Sequence, residues 1–193
     1  VRTRDIVYVA LFAAITAALA LFPPLPLSLT GVPITAQSLG PMLAGSILGW
    51  KRGALSQLLF LALVAAGLPL LAGGTGGLGR FASASGGYII GWAIIAGLIG
   101  WLFERLWHHL NLAVAILIIA FGGIVVLYAI GSAWVAVVVH LGYFQAVATN
   151  GPFLIGDACK VVIAALIAMG VKRAYPVIEP RPRARQDKAS TAE

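Results

Sequence analysis

From Ile6 to Val171 the chain is a succession of apolar runs, each stopped by a turn residue or by basic residues. Runs approaching the ~20 residues that a helix needs to cross a bilayer predict membrane helices. The breakers divide them into six segments. The first covers about 5–22 and stops at Pro23-Pro24, because proline lacks the N–H that a helix interior requires. A Pro- and Gly-containing stretch, 23–35, leads to two short segments at about 36–50 and 53–67, parted only by Lys51-Arg52. A Gly-rich loop over 68–86 precedes the fourth segment, at about 87–105. The fifth draws on the uncharged stretch 112–139, with an interruption expected near Gly122-Gly123 or Gly131. The sixth covers about 152–172. The alternation of an outer-membrane barrel strand is absent. The predicted fold class is therefore an all-α integral membrane protein of six transmembrane helices over 1–172. A polar tail, 173–193, is expected to be disordered.

Composition supports the membrane reading. Of the 193 residues, 61% are hydrophobic and 10% charged, where a soluble domain carries roughly 25% charged residues. The net charge of +7 sits at the chain ends and in short loops, which argues against nucleic-acid binding. With both termini cytoplasmic, 11 of the 13 Lys and Arg residues fall on the inner side of a multi-pass protein of the cell membrane. Only Arg80 and Lys160 fall outside. The single cysteine, Cys159, excludes an intrachain disulfide and a cysteine-rich metal site. No A-x-A cleavage pattern follows the first segment, so it is expected to be retained as a helix.

Candidate chemistry concentrates on the outer side. Asp157 and Lys160 stand three residues apart at the start of the sixth segment, beyond a charge-free stretch from Leu106 to Gly156. Ionisable groups at that depth are costly and mark a functional site unless they form a purely structural ion pair. The "GGTGGLG" run at 73–79 holds a G-x-G-x-x-G pattern, but no strand precedes it, and a dinucleotide fold is rejected. What remains is a glycine backbone able to fold over a cavity, or a merely flexible loop. Thr35 and Gln37 open the second segment and Tyr88 opens the fourth, where each reads equally as a cap, an interhelical bond or an interfacial anchor. Ala10, Ala14 and Ala18 recur every four residues, a small-residue face suited to close helix contact with a partner or within the protein. The three histidines show no metal-ligand spacing, and no metal or cofactor is expected. There is no nucleophile–base pair and no Walker A lysine, so neither an enzyme nor an ATPase is indicated. No inverted repeat supports a self-sufficient secondary transporter.

Taken together, "VPITAQSLGPMLAGSILGWKRGALSQ", "AGLPLLAGGTGGLG", "SGGYIIGW" and "PFLIGDACK" resemble, in order and spacing, the biotin-specific S components of energy-coupling-factor transporters over roughly 6–172. The resemblance implies a six-helix, outward-facing vitamin pocket, closed by the loops after the first and third helices. It implies biotin as ligand, and as partners a transmembrane coupling subunit with paired ATPases. It places Asp157, Lys160 and Thr75 at the biotin site, the last inside G-G-x-G-G beside Gly74, with Gln37 and Tyr88 at the family's polar positions and Thr35 nearby. The position after the tyrosine, basic in some relatives, is Ile89 here, and Arg80 is the candidate replacement. Lys160 or Arg80 is then expected to meet the biotin carboxylate. Ala10, Ala14 and Ala18 are the candidate docking face for the coupling subunit. The alternatives are an S component for a different vitamin and an intramembrane enzyme.

Overall fold

The computed structural model describes residues 2–25 and 32–178. These residues are mostly helical and hold no strand, only isolated antiparallel bridges at Leu25–Ile34 and Leu71–Thr75. The helices are α1 (Thr3–Ala18), α2 (Leu39–Leu48), α3 (Trp50–Ala65), α4 (Gly79–Ala82), α5 (Gly86–Arg105), α6 (Leu112–Ala120), α7 (Leu127–Val138), α8 (Tyr143–Ala148) and α9 (Gly151–Ala174). A π-helical turn, Phe121–Val126, joins α6 to α7 without a break, so the irregularity expected at Gly122-Gly123 is a widened turn and not a loop.

Among the described residues, four helices are long and apolar enough to cross a membrane: Thr3–Leu21, Gly86–Arg105, Leu112–Val138 and Gly151–Ala174. The two short segments differ from them. With 10 residues, α2 rises about 15 Å, half of a roughly 30 Å hydrocarbon core. It is buried along nearly its whole length, packed against α1, α3, α5 and α9. An apolar run that lipid never touches needs no bilayer-matched length. The turn between α2 and α3 also differs from expectation. It is Gly49 alone, at φ +83°, a left-handed conformation that favours glycine. Lys51 and Arg52 lie in the first turn of α3, and the exposed N–H of Trp50 is capped at 2.9 Å by Glu104 Oε1 from α5.

Of the spanning helices, α5 is the most buried and α1 the least. Small residues let α5 lie against the α2–α3 hairpin: a Cβ on Gly45 would strike the Ala96 carbonyl, and one on Gly100 the backbone of Gly49 and Trp50. Close backbone approach supplies the van der Waals contact that holds helices together in lipid. At the basic end Arg52 bonds Asp5 at 3.3 Å and the Val177 carbonyl at 2.9 Å. Val177 and Ile178 are buried there, so the chain just past α9 lies on the helical body. The rest of the expected polar tail, 179–193, is outside the described residues.

Gly100→Ala should destabilise the detergent-solubilised protein by about 1–3 kcal/mol, because backbone and not a pliable side chain stands in the way. Gly170, a glycine of α9 with nothing within 4 Å of its would-be Cβ, is the control. Gly170→Ala should leave stability unchanged or raise it by up to about 1 kcal/mol. Thermal melting of both variants checks the pair; equal midpoints would contradict the close crossing.

Candidate ligand-binding site

Asp157 and Lys160 lie on one face of α9, two turns from its start, with side chains only 8% and 15% exposed. A charge so far out of water must be paired and hydrogen-bonded. Lys160 Nζ reaches Asp157 Oδ1 at 2.8 Å, Ser38 Oγ at 2.9 Å and the Thr35 carbonyl at 2.5 Å. These account for all three ammonium donors. Asp157 also accepts from Ser38 Oγ at 3.2 Å on Oδ1 and from the Tyr128 hydroxyl at 2.7 Å on Oδ2. One cluster thus joins α9, the approach to α2 and α7. Tyr128 stands just beyond the π-helical turn, whose wider winding shifts the face that later residues present.

A second cluster lies beside it. Tyr88 donates to Asn150 Oδ1 at 2.5 Å, and Asn150 Nδ2 donates to Ser132 Oγ at 2.7 Å. The Tyr88 ring lies against Gly131, where any Cβ would collide with it. It also lies beside the Phe153 ring, with ring centroids 6.4 Å apart. Between these clusters and the connections after α1 and α3 is a cavity of about 160 Å³. Its apolar walls include Val32, Leu71, Ile89, Trp92, Leu127 and Phe153. That mixture of apolar wall and a few oriented polar groups is typical of small-molecule sites.

Seven of the sequence-derived candidates border this one cavity: Thr35, Gln37, Thr75, Arg80, Tyr88, Asp157 and Lys160. Arg80 lies on α4, and its guanidinium has no hydrogen bond or ion pair among the described residues. Gly74 does not line the cavity; it sits at φ +67° in the turn closed by the paired amides and carbonyls of Leu71 and Thr75. Gln37 is 1% exposed with its amide engaged inside the protein: Nε2 donates to the carbonyls of Thr16 and Leu70, and Oε1 accepts from the Ala72 N–H. Ala10, Ala14 and Ala18 lie apart from the cavity, on the exposed face of α1, while Phe12, Ala13 and Thr16 face inward. Sequence reading missed Ser38, Tyr128, Trp92, Phe153 and Asn150. For Ser38 the signal was its place beside Gln37; for Tyr128 there was none, since its register depends on the π-helical turn.

The sequence pattern of the BioY family matches residues 1–177. The chain is 48% identical over 184 residues to the biotin transporter BioY of Rhizobium etli, covering 93% of this chain and 98% of that one. To the biotin transporter BioY of Rhodobacter capsulatus it is 44% identical over 183 residues, covering 90% and 95%. Its fold is similar to the crystal structure of the S-component for biotin from an ECF-type ABC transporter, with TM-score 0.84 and 31% identity over 88% of this chain and 91% of that one. With the pattern matched along nearly the whole chain and full-length relatives at this identity, the chain belongs to the BioY family.

Proposed function

We propose that this chain is the biotin-binding membrane subunit of an energy-coupling-factor uptake transporter, a transport component and not an enzyme. The observation that carries the reading is the polarity of the cavity wall. Tyr88 and Tyr128 have each given their proton inward, to Asn150 and Asp157, and offer a ligand only lone pairs. A carboxylate has about four acceptor positions, and Asp157 has three partners. Such a wall suits a ligand rich in N–H donors, as the ureido ring of biotin is. The apolar wall suits the thioether ring and the valeryl chain. Of the two outer cations, Lys160 has all its ammonium donors engaged, while the Arg80 guanidinium has no partner among the described residues, so Arg80 takes the carboxylate.

The same reading sets six crossings in the cell membrane with both termini inside and the cavity outside. Four cation–aromatic pairs gather at the basic end: Arg4–Tyr8, Lys51–Trp50, Arg105–Trp101 and Lys172–Trp107. Basic residues with interfacial aromatics are what an inner membrane face carries. Accumulating biotin against a gradient requires free energy from a separate coupling subunit and its ATPases. The exposed Ala10, Ala14 and Ala18 face of α1, the least buried span, is the docking surface for that partner.

Arg80→Ala should weaken biotin binding at least about tenfold, since a hydrogen bond to a charged group is worth about 1.5–3 kcal/mol. Biotinamide, which lacks the acid, should change less than about threefold. Lys160→Ala should weaken both ligands, because Asp157 loses its counter-charge. Equal effects of Arg80→Ala on the two ligands would overturn the carboxylate assignment, and a parent that binds no biotin would overturn the function.

Topology is checked on a Cys159→Ala background with an impermeant thiol reagent. Cysteines at Leu78 and Phe144, 72% and 85% exposed, should label from outside, and one at Lys51 should not. The reverse pattern contradicts the orientation.

For docking, Ala14→Trp should leave biotin affinity within about threefold, under roughly 0.7 kcal/mol, yet abolish ATP-driven uptake. Joint loss of binding and uptake, or retention of both, contradicts a docking role for that face.

A further inference from the structure

Gln37 holds three pieces of chain together. Nε2 donates to the Thr16 carbonyl of α1 at 3.1 Å and to the Leu70 carbonyl at 2.9 Å, and Oε1 accepts from the Ala72 N–H at 2.8 Å. Both amide donors are used, so the side chain has no N–H left for a ligand. At 1% exposure, an amide without these partners would carry the full cost of burying unsatisfied polar atoms. The contact therefore keeps Leu70–Ala72 in place as well as Gln37.

Those residues are the root of the segment that covers the cavity. Leu71, Ala72 and Thr75 line it, and the Leu71–Thr75 bridge closes the turn between them. The segment's other bonds are local: Leu68 N to Leu63 O, Gly77 N to Val64 O, and Thr75 Oγ1 to Ala72 O. Among the described residues, the side-chain hydrogen bonds that tie it to α1 and the start of α2 are those of Gln37. The anchor is itself rigid. Thr16 is fully buried, its hydroxyl donates to Phe12 O at 2.9 Å, and it accepts from Gln57 Nε2 of α3 at 3.1 Å.

We infer that Gln37 is a positioning residue that latches the 68–77 cover shut over the cavity and ties it to α1, setting how long a ligand stays and not which groups recognise it. Because one end of the latch is on α1, a shift of that helix away from α2 pulls on the cover. The inference rests on the cavity being the biotin site only where ligand release is measured; latching itself is independent of ligand.

The test uses the full chain in nanodiscs. With Gln37→Met, which keeps length and bulk but has no amide, chase of labelled biotin should show dissociation at least about tenfold faster, the effect of a lost buried hydrogen bond. Without ligand, a cysteine at Leu71 on the Cys159→Ala background should react slowly in the parent, where Leu71 is 5% exposed. It should react at least about tenfold faster with Gln37→Met. A mere ligand contact would speed release without moving that ligand-free reactivity. Unchanged Leu71→Cys reactivity overturns the latch. If the parent binds no biotin, the site assignment fails while the reactivity arm still decides the latch. If Gln37→Met does not fold, hydrogen exchange on the ligand-free parent decides: the Ala72 amide should be protected, and exchange as fast as that of Gly73 and Gly74 overturns the proposal.

Discussion

An ammonium and a carboxylate buried in an apolar helical bundle set the terms for this end of the molecule. Asp157 and Lys160 bond each other at 2.8 Å on successive turns of α9, but one bond does not offset the loss of water around two charges. The remaining donors and acceptors have to be met by protein groups. Ser38 and the Thr35 carbonyl meet them from the approach to α2, and Tyr128 meets them from α7. The polar cluster fixes the distance between three elements at the pocket end, and the space they enclose with α5 and the covering connections is the cavity. Below it, α2, α3 and α5 close up on glycine and alanine contacts. One end is held open by bonds of fixed length, the other shut by small residues.

Legibility from sequence followed this division. The apolar segments were readable because a run of apolar residues between breakers constrains the chain wherever it lies. Asp157 and Lys160 were readable because they interrupt a stretch without charge. The environment of α2 was not, since the same apolar run serves a helix in lipid and one sealed among its neighbours. Lys51-Arg52 was a plausible breaker, yet glycine's left-handed freedom made Gly49 the turn, and the basic pair went into α3. Tyr128 was hidden by the π-helical turn, because a helical wheel drawn at constant pitch assigns it to another face. Gln37 was found as a polar residue near the cavity, but a sequence does not say whether an amide faces a ligand or a neighbouring carbonyl.

The cavity separates two tasks that a binding subunit has to perform. On the proposed reading, recognition falls to a wall of oxygen acceptors preorganised by their own hydrogen bonds and to the Arg80 guanidinium, which has no hydrogen bond or ion pair among the described residues. Retention is assigned to the cover, whose fastening on α1 places it under the influence of the least buried span. Tight capture and later release can then be controlled at different residues.

The central claim is that this cavity holds biotin, and calorimetric titration of the purified chain in nanodiscs tests it most directly. The panel is biotin, desthiobiotin and vitamins lacking a cyclic urea, such as thiamine and pyridoxine. Saturable binding of biotin at a single site is expected, with desthiobiotin next, because it keeps the ureido N–H groups and the carboxylate. Tighter binding of a vitamin without those groups, or no saturable binding of biotin, would contradict the account.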